Sequence, residues 1–163
     1  MTLKLPKFIE IDINNYVNEI DNLYKIYLNE LYDANIIVLD KNITYRRDPL
    51  DDGKHECFWH LVTEGKKDNR VPDFERIRRI HWCSYILKNY EDTEIVCWEK
   101  IHKGNKGAQR RIFFWLENES YLIVLGENRK KTSFELITAY YVNHPGTLKS
   151  INRDKNSCID PRR

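Results

Sequence analysis

Three groups of side chains in this chain carry types suited to acid–base and phosphate chemistry. His60 lies in Glu56-Cys57-Phe58-Trp59-His60-Leu61-Val62-Thr63-Glu64-Gly65. Histidine's free pKa is nearest neutrality, so it can take or give a proton at physiological pH. Arg76, Arg78 and Arg79 crowd a second stretch, and guanidinium forks match phosphate oxygens. Arg110 and Arg111 open a run that continues to Phe113 and Trp115, while Thr138 and Tyr140 end an otherwise apolar run. Hydroxyls and arginines set into an aromatic sheet suit a surface that binds or cuts RNA. Each group also has a plain reading. A histidine among aromatics can be a hydrogen-bonded core group, an arginine run can be a solvated helix face, and Thr and Tyr are ordinary strand formers.

The elements that must position these groups follow from periodicity. Residues 109 to 142 hold three runs rich in β-branched and aromatic residues with short polar connections, the pattern of an antiparallel meander. Glu94 to Ile101 adds a first strand, and Lys103 to Gly107 reads as its hairpin loop. Alternation puts Phe134, Leu136, Thr138, Tyr140 and Val142 on one face, and Arg111, Phe113 and Trp115 together on another strand. Residues 56 to 65 read as a strand with Phe58, His60 and Val62 on one side. Pro72-Asp73 opens a helix to about Tyr90, with Asp73 as N-cap. Its buried stripe is Phe74, Ile77, Ile80, Ser84 and Leu87, with Arg79 beside the stripe. Asn14 to Asp33 is an amphipathic helix with Tyr16, Ile20, Leu23, Tyr24, Tyr27, Leu28 and Leu31 at helical spacing. Ile36 to Leu39 is either the end of that helical region or a short strand, and residues 42 to 54 read as a loop. The expected fold is α+β: helices packed on an antiparallel four-stranded meander, in a single domain over residues 1–145. A mobile, mildly basic C-terminal tail spans 146–163.

Composition narrows the class. The chain has 163 residues, 41% of them hydrophobic and 12% aromatic, enough for a folded core. It holds no apolar run long enough to cross a membrane, and its start lacks an apolar leader core. The four cysteines (Cys57, Cys83, Cys97, Cys158) are scattered without a paired motif, which fits reduced thiols in a cytoplasmic protein and neither a zinc site nor a disulfide set. His55 and His60 are not spaced as metal ligands. The net charge of +2 does not by itself indicate nucleic acid; the clustering of the arginines does more. No phosphate-binding glycine loop occurs.

Several words in order carry a resemblance: Phe58-Trp59-His60-Leu61, a Pro72-Asp73 helix with repeated arginine, a Trp98 strand, Arg110-Arg111, and a closing Thr138-Ala139-Tyr140. Over roughly residues 14 to 145 they resemble small phage- and plasmid-borne proteins of the barnase–EndoU–colicin–RelE class of nucleases. The resemblance implies a metal-independent endoribonuclease that needs no cofactor, because RNA supplies its own 2′-hydroxyl nucleophile. It implies general acid/base work for His60, with His81 as substitute and Glu64 as a second base. Arg79 and Arg111 would clamp the phosphate, and Thr138 and Tyr140 would hydrogen-bond the phosphate or the attacking oxygen. Arg76 and Arg110 would contact RNA, and Trp98 or Trp115 would stack a base. RNA is the implied partner, with an antitoxin or a host protein beside it. The alternative is a non-catalytic binding module that engages a host protein or RNA through an aromatic and arginine surface.

Overall fold

The computed structural model describes residues 3–163. After a 3-10 turn at Ile13–Asn15, helix α1 (Tyr16–Tyr27) buries Ile20, Leu23 and Tyr27, and a wider π turn (Leu28–Tyr32) carries the stripe on to Leu31. Strands β1 (Ile37–Val38) and β2 (Lys41–Thr44) form a hairpin through Leu39 and Asp40, both at positive φ (49° and 63°). Part of the expected 42–54 loop is therefore strand.

The stretch bearing His60 is not a strand but helix α2 (Glu56–Val62). Its buried residues are Cys57, Phe58, Leu61 and Val62; that spacing marks one helical face, and the period of 3.6 wins over the alternation. Two-residue strands β3 (Thr63–Glu64) and β4 (Val71–Pro72) then pair with each other. Asp73 caps the next helix as expected, accepting from the Arg76 amide at 3.1 Å. That helix breaks into α3 (Phe74–Ile77) and α4 (Trp82–Lys88). Between them the amides of Arg79, Ile80 and Trp82 donate three residues back, so the chain tightens into successive turns.

The sheet is larger than the expected four strands. β5 (Val96–Gly104), β6 (Gly107–Leu116), β7 (Tyr121–Glu127) and β8 (Ser133–Tyr141) form the antiparallel meander. β2 then adds to β8 in parallel, giving a six-stranded mixed sheet in the order β1-β2-β8-β7-β6-β5. One face, with Ile112, Phe114, Ile123, Leu125, Phe134 and Leu136, packs into the main core with α1, α2 and α4 residues. The opposite face buries Trp98, Trp115, Leu122, Val124 and Val142.

The expected tail closes that second face. Helix α5 (Pro145–Ser157) brings Ile151, 4% exposed, into the second core. A sheet face carrying two tryptophans cannot stand in water, and α5 is the layer that covers it.

A bulge resets β8. Leu136 pairs with Leu125 but Thr138 pairs with Val124, so Ile137 is an extra residue. The single face expected for Phe134, Leu136, Thr138, Tyr140 and Val142 is thereby split. Phe134 and Leu136 point into the main core, and Tyr140 and Val142 into the second.

Candidate nucleic-acid interface

The two long hairpins turn at the same end of the sheet. Asn105 and Lys106 connect Gly104 to Gly107, which sits at φ +106°, a conformation that suits glycine alone. Both strands run further than expected, leaving a two-residue turn. In the second hairpin, Asn128 Oδ1 accepts from the Thr132 and Ser133 amides at 2.8 and 3.1 Å and stiffens the return.

Between these turns lies an open groove of about 630 Å³. Arg46, Lys106, Arg110, Arg111, Arg129 and Lys131 line it with His102, against only two carboxylates, Glu127 and Glu135. Glu127 is buried and already matched, with Lys41 Nζ at 2.6 Å and Arg110 Nη1 at 3.1 Å. Burial alone would raise its pKa, but the hydrogen bonds and charge of Lys41 and Arg110 outweigh this and hold it below the ordinary carboxylate value. Arg46 takes Glu135 at 2.9 Å.

Arg111 is different. It is half-buried, and burial draws its pKa below the ordinary arginine value while the charge of Glu135 acts the other way. Among the described residues no carboxylate lies within ion-pair distance of it; its Nε donates to Gln109 Oε1 at 3.0 Å. A desolvated cation without a counter-charge is a strong place for an anion to dock.

A smaller niche of about 230 Å³ opens beside the groove, where α2 meets β8. Arg46, Cys57, His60, Arg111, Glu135 and Ile137 line it. The structure thus brings His60 and Arg111 to one cavity. His60 Nε2 lies 3.1 Å from Glu56 Oε1, and Glu56 Oε2 accepts from Arg70 Nη2 at 2.7 Å. Burial would raise the pKa of Glu56, but Arg70 and then His60 hold it below its ordinary value. Glu56 escaped the sequence reading for a definite reason. Residues four apart meet on a helix but not on a strand, and this segment reads as a strand by alternation.

The other expected site residues lie elsewhere. Arg79 is buried, with Nη1 bound to the Glu75 carbonyl at 2.8 Å and to its carboxylate at 2.7 Å. Its guanidinium sits 4.4 Å from the Tyr141 ring, 4.9 Å from Phe8 and 5.3 Å from Trp82. No phosphate reaches a group so enclosed. Arg76 staples backbone, donating to the carbonyls of His60 at 2.8 Å and Thr63 at 2.9 Å, and its guanidinium covers Tyr140 at 5.1 Å. Tyr140, its phenol pushed up by burial, lines a separate cavity with Glu64, Arg76 and His144. Thr138 lies opposite Val124 and lines neither the groove nor the niche. Trp98 and Trp115 are 1% and 3% exposed, with Trp98 stacked on Phe113 at 5.2 Å, so neither has a face for a base. His81 is held by Glu30 at 2.7 Å.

Cys57, Cys83 and Cys97 are free and buried, and burial pushes the thiols of Cys57 and Cys97 up to about 12. Among the described residues, no three His, Cys, Asp or Glu side chains group to hold a metal ion, and no helix is long and apolar enough to cross a membrane. No protein-family model, curated protein or solved structure matches this chain.

Proposed function

We propose that this chain binds the phosphate backbone of RNA in the groove at the hairpin end of the sheet. The excess of six cations over two carboxylates in that groove carries the reading. The half-buried Arg111, with no carboxylate at ion-pair distance among the described residues, lines that groove. Phosphate contacts of this kind dominate affinity and make it depend on salt. The test is fluorescence anisotropy of a labelled single-stranded RNA across a salt series, for wild type and Arg111→Glu. Affinity should fall linearly on a log–log plot against salt, and Arg111→Glu should weaken it by about tenfold or more. Binding by wild type that ignores salt, or a variant that binds equally well, removes the reading.

A second reading makes the same protein a metal-independent ribonuclease, as in the nuclease class its sequence resembles. The shared niche of His60 and Arg111 favours it. Glu56 fixes one ring nitrogen of His60 and leaves Nδ1 to take the 2′-hydroxyl proton. The 2′-oxygen then bonds to phosphorus, Arg111 balances the charge on the phosphoryl oxygens, and the bond to the 5′-oxygen breaks as that oxygen takes a proton from water, the hydroxide left behind being neutralised by the proton on His60. The products are a 2′,3′-cyclic phosphate and a 5′-hydroxyl. Incubation with RNA in EDTA should give these ends with wild type and none with His60→Ala. RNA left intact by wild type rejects cleavage and leaves the binding reading in place.

A further inference from the structure

A second basic groove adjoins the first. It holds about 460 Å³ between the end of β5 and helix α5, and Lys100, His102, Lys103, Phe113, Arg153 and Asp154 line it. Its one carboxylate, Asp154, is occupied by Lys100 Nζ at 3.1 Å and Arg153 Nε at 3.2 Å. Lys103 and His102 are exposed and form no ion pair among the described residues. Both grooves include Ile101 and His102, so they meet on the last part of β5.

That part of β5 is an open sheet edge. The Glu99 amide points away from β6, since it donates to the Ile159 carbonyl at 2.9 Å. The two-residue period of a strand turns the Ile101 and Lys103 amides the same way. Neither has a partner among the described residues. Two outward N–H groups, spaced one repeat apart and flanked by lysines, suit phosphate and sugar oxygens.

We infer that the RNA path does not end in the hairpin groove: it crosses the β5 edge at Ile101–Lys103 and continues into the groove under α5, so the ligand is an extended single strand. This rests on the RNA-binding reading and adds the course and length of the bound strand. Charged side chains lining the grooves on either side of the edge are mostly cationic, and a flexible single strand can follow such a basic track from one groove into the next.

The test compares labelled single-stranded RNAs of about four and about sixteen nucleotides, with wild type, Lys103→Glu/Arg153→Glu, and Lys66→Glu/Lys67→Glu. Lys103, Arg153, Lys66 and Lys67 are all exposed, and thermal melting checks that each variant is folded. The Lys103/Arg153 variant should lose about tenfold in affinity for the long RNA, and its salt slope should shrink by about 1.4, the loss of two single-strand phosphate contacts. The short RNA should bind it as it binds wild type. The Lys66/Lys67 variant, with the same charge change on another surface, should match wild type for both. Equal losses for both lengths, no loss for either, or a matching loss in the Lys66/Lys67 variant overturns the continued path. Wild type that binds neither RNA overturns the groove reading and the path together.

Discussion

Arg111, which lines the basic groove, donates from Nε to Oε1 of Gln109 at 3.0 Å, its one side-chain hydrogen bond among the described residues. Gln109 can lie there because residue 126 is glycine. A Cβ at Gly126 would stand 2.5 Å from Gln109 Nε2.

Gly126→Ala should therefore act on binding more than on folding. Gly126 has no left-handed φ, and the atom it would meet is the end of a flexible side chain, so stability should change by less than about 1 kcal/mol. Arg111 should lose its anchor, at about 1 kcal/mol for one hydrogen bond, or about fivefold in RNA affinity. Anisotropy beside thermal melting separates the two. Unchanged affinity would show that Gln109 does not position Arg111.

Arg79 is expected to matter for stability alone. Arg79→Ala removes the guanidinium from between Phe8, Trp82 and Tyr141 and leaves the Glu75 carbonyl short of a donor. The loss should be about 2 kcal/mol or more. At a temperature where the variant remains folded, its RNA affinity should equal that of wild type. A well-folded variant with weakened binding would return Arg79 to the interface.

Helix α5 should be indispensable. Ile151→Ala should cost about 3 kcal/mol by opening a cavity over Trp98, Trp115 and Val142. A chain ending at residue 144 should expose that face and aggregate. Denaturant titration of the point variant decides the matter, since a freely mobile tail would leave stability unchanged.

Acid should unfold the protein through its paired carboxylates. Glu56, Glu127 and Asp160 are each buried enough to raise their pKa, yet their arginine and lysine partners hold all three below ordinary values. Depressed folded values mean that the contribution is fully present above the unfolded carboxylate range of about 4. It is lost as pH falls through the lower folded values. Denaturant midpoints should drop on acidification below that range, and Glu127→Gln should be less stable at neutral pH but lose less on acidification. Parallel acid profiles for the two proteins would remove Glu127 from the account.

The chain's own patterning determined much of this protein. Alternating β-branched and aromatic runs specify β5 to β8, since strand pairing needs only local alternation and short turns. The helical stripe of Ile20, Leu23, Tyr27 and Leu31, and the Asp73 cap, are equally local. Arg110 and Arg111, adjacent in sequence within β6, do reach one groove. Tertiary structure decided the rest. Whether residues 56–62 became helix or strand depended on which face found a core, and that choice created the Glu56–His60 pair. The bulge at Ile137, invisible to a strict period of two, separated Thr138 and Tyr140 from the face of Phe134 and Leu136. Lastly, a basic-looking tail folded onto the sheet because only three-dimensional packing reveals that Trp98 and Trp115 lack a cover until Ile151 arrives. Burial and pairing between distant segments are long-range properties, and no local window of sequence contains them.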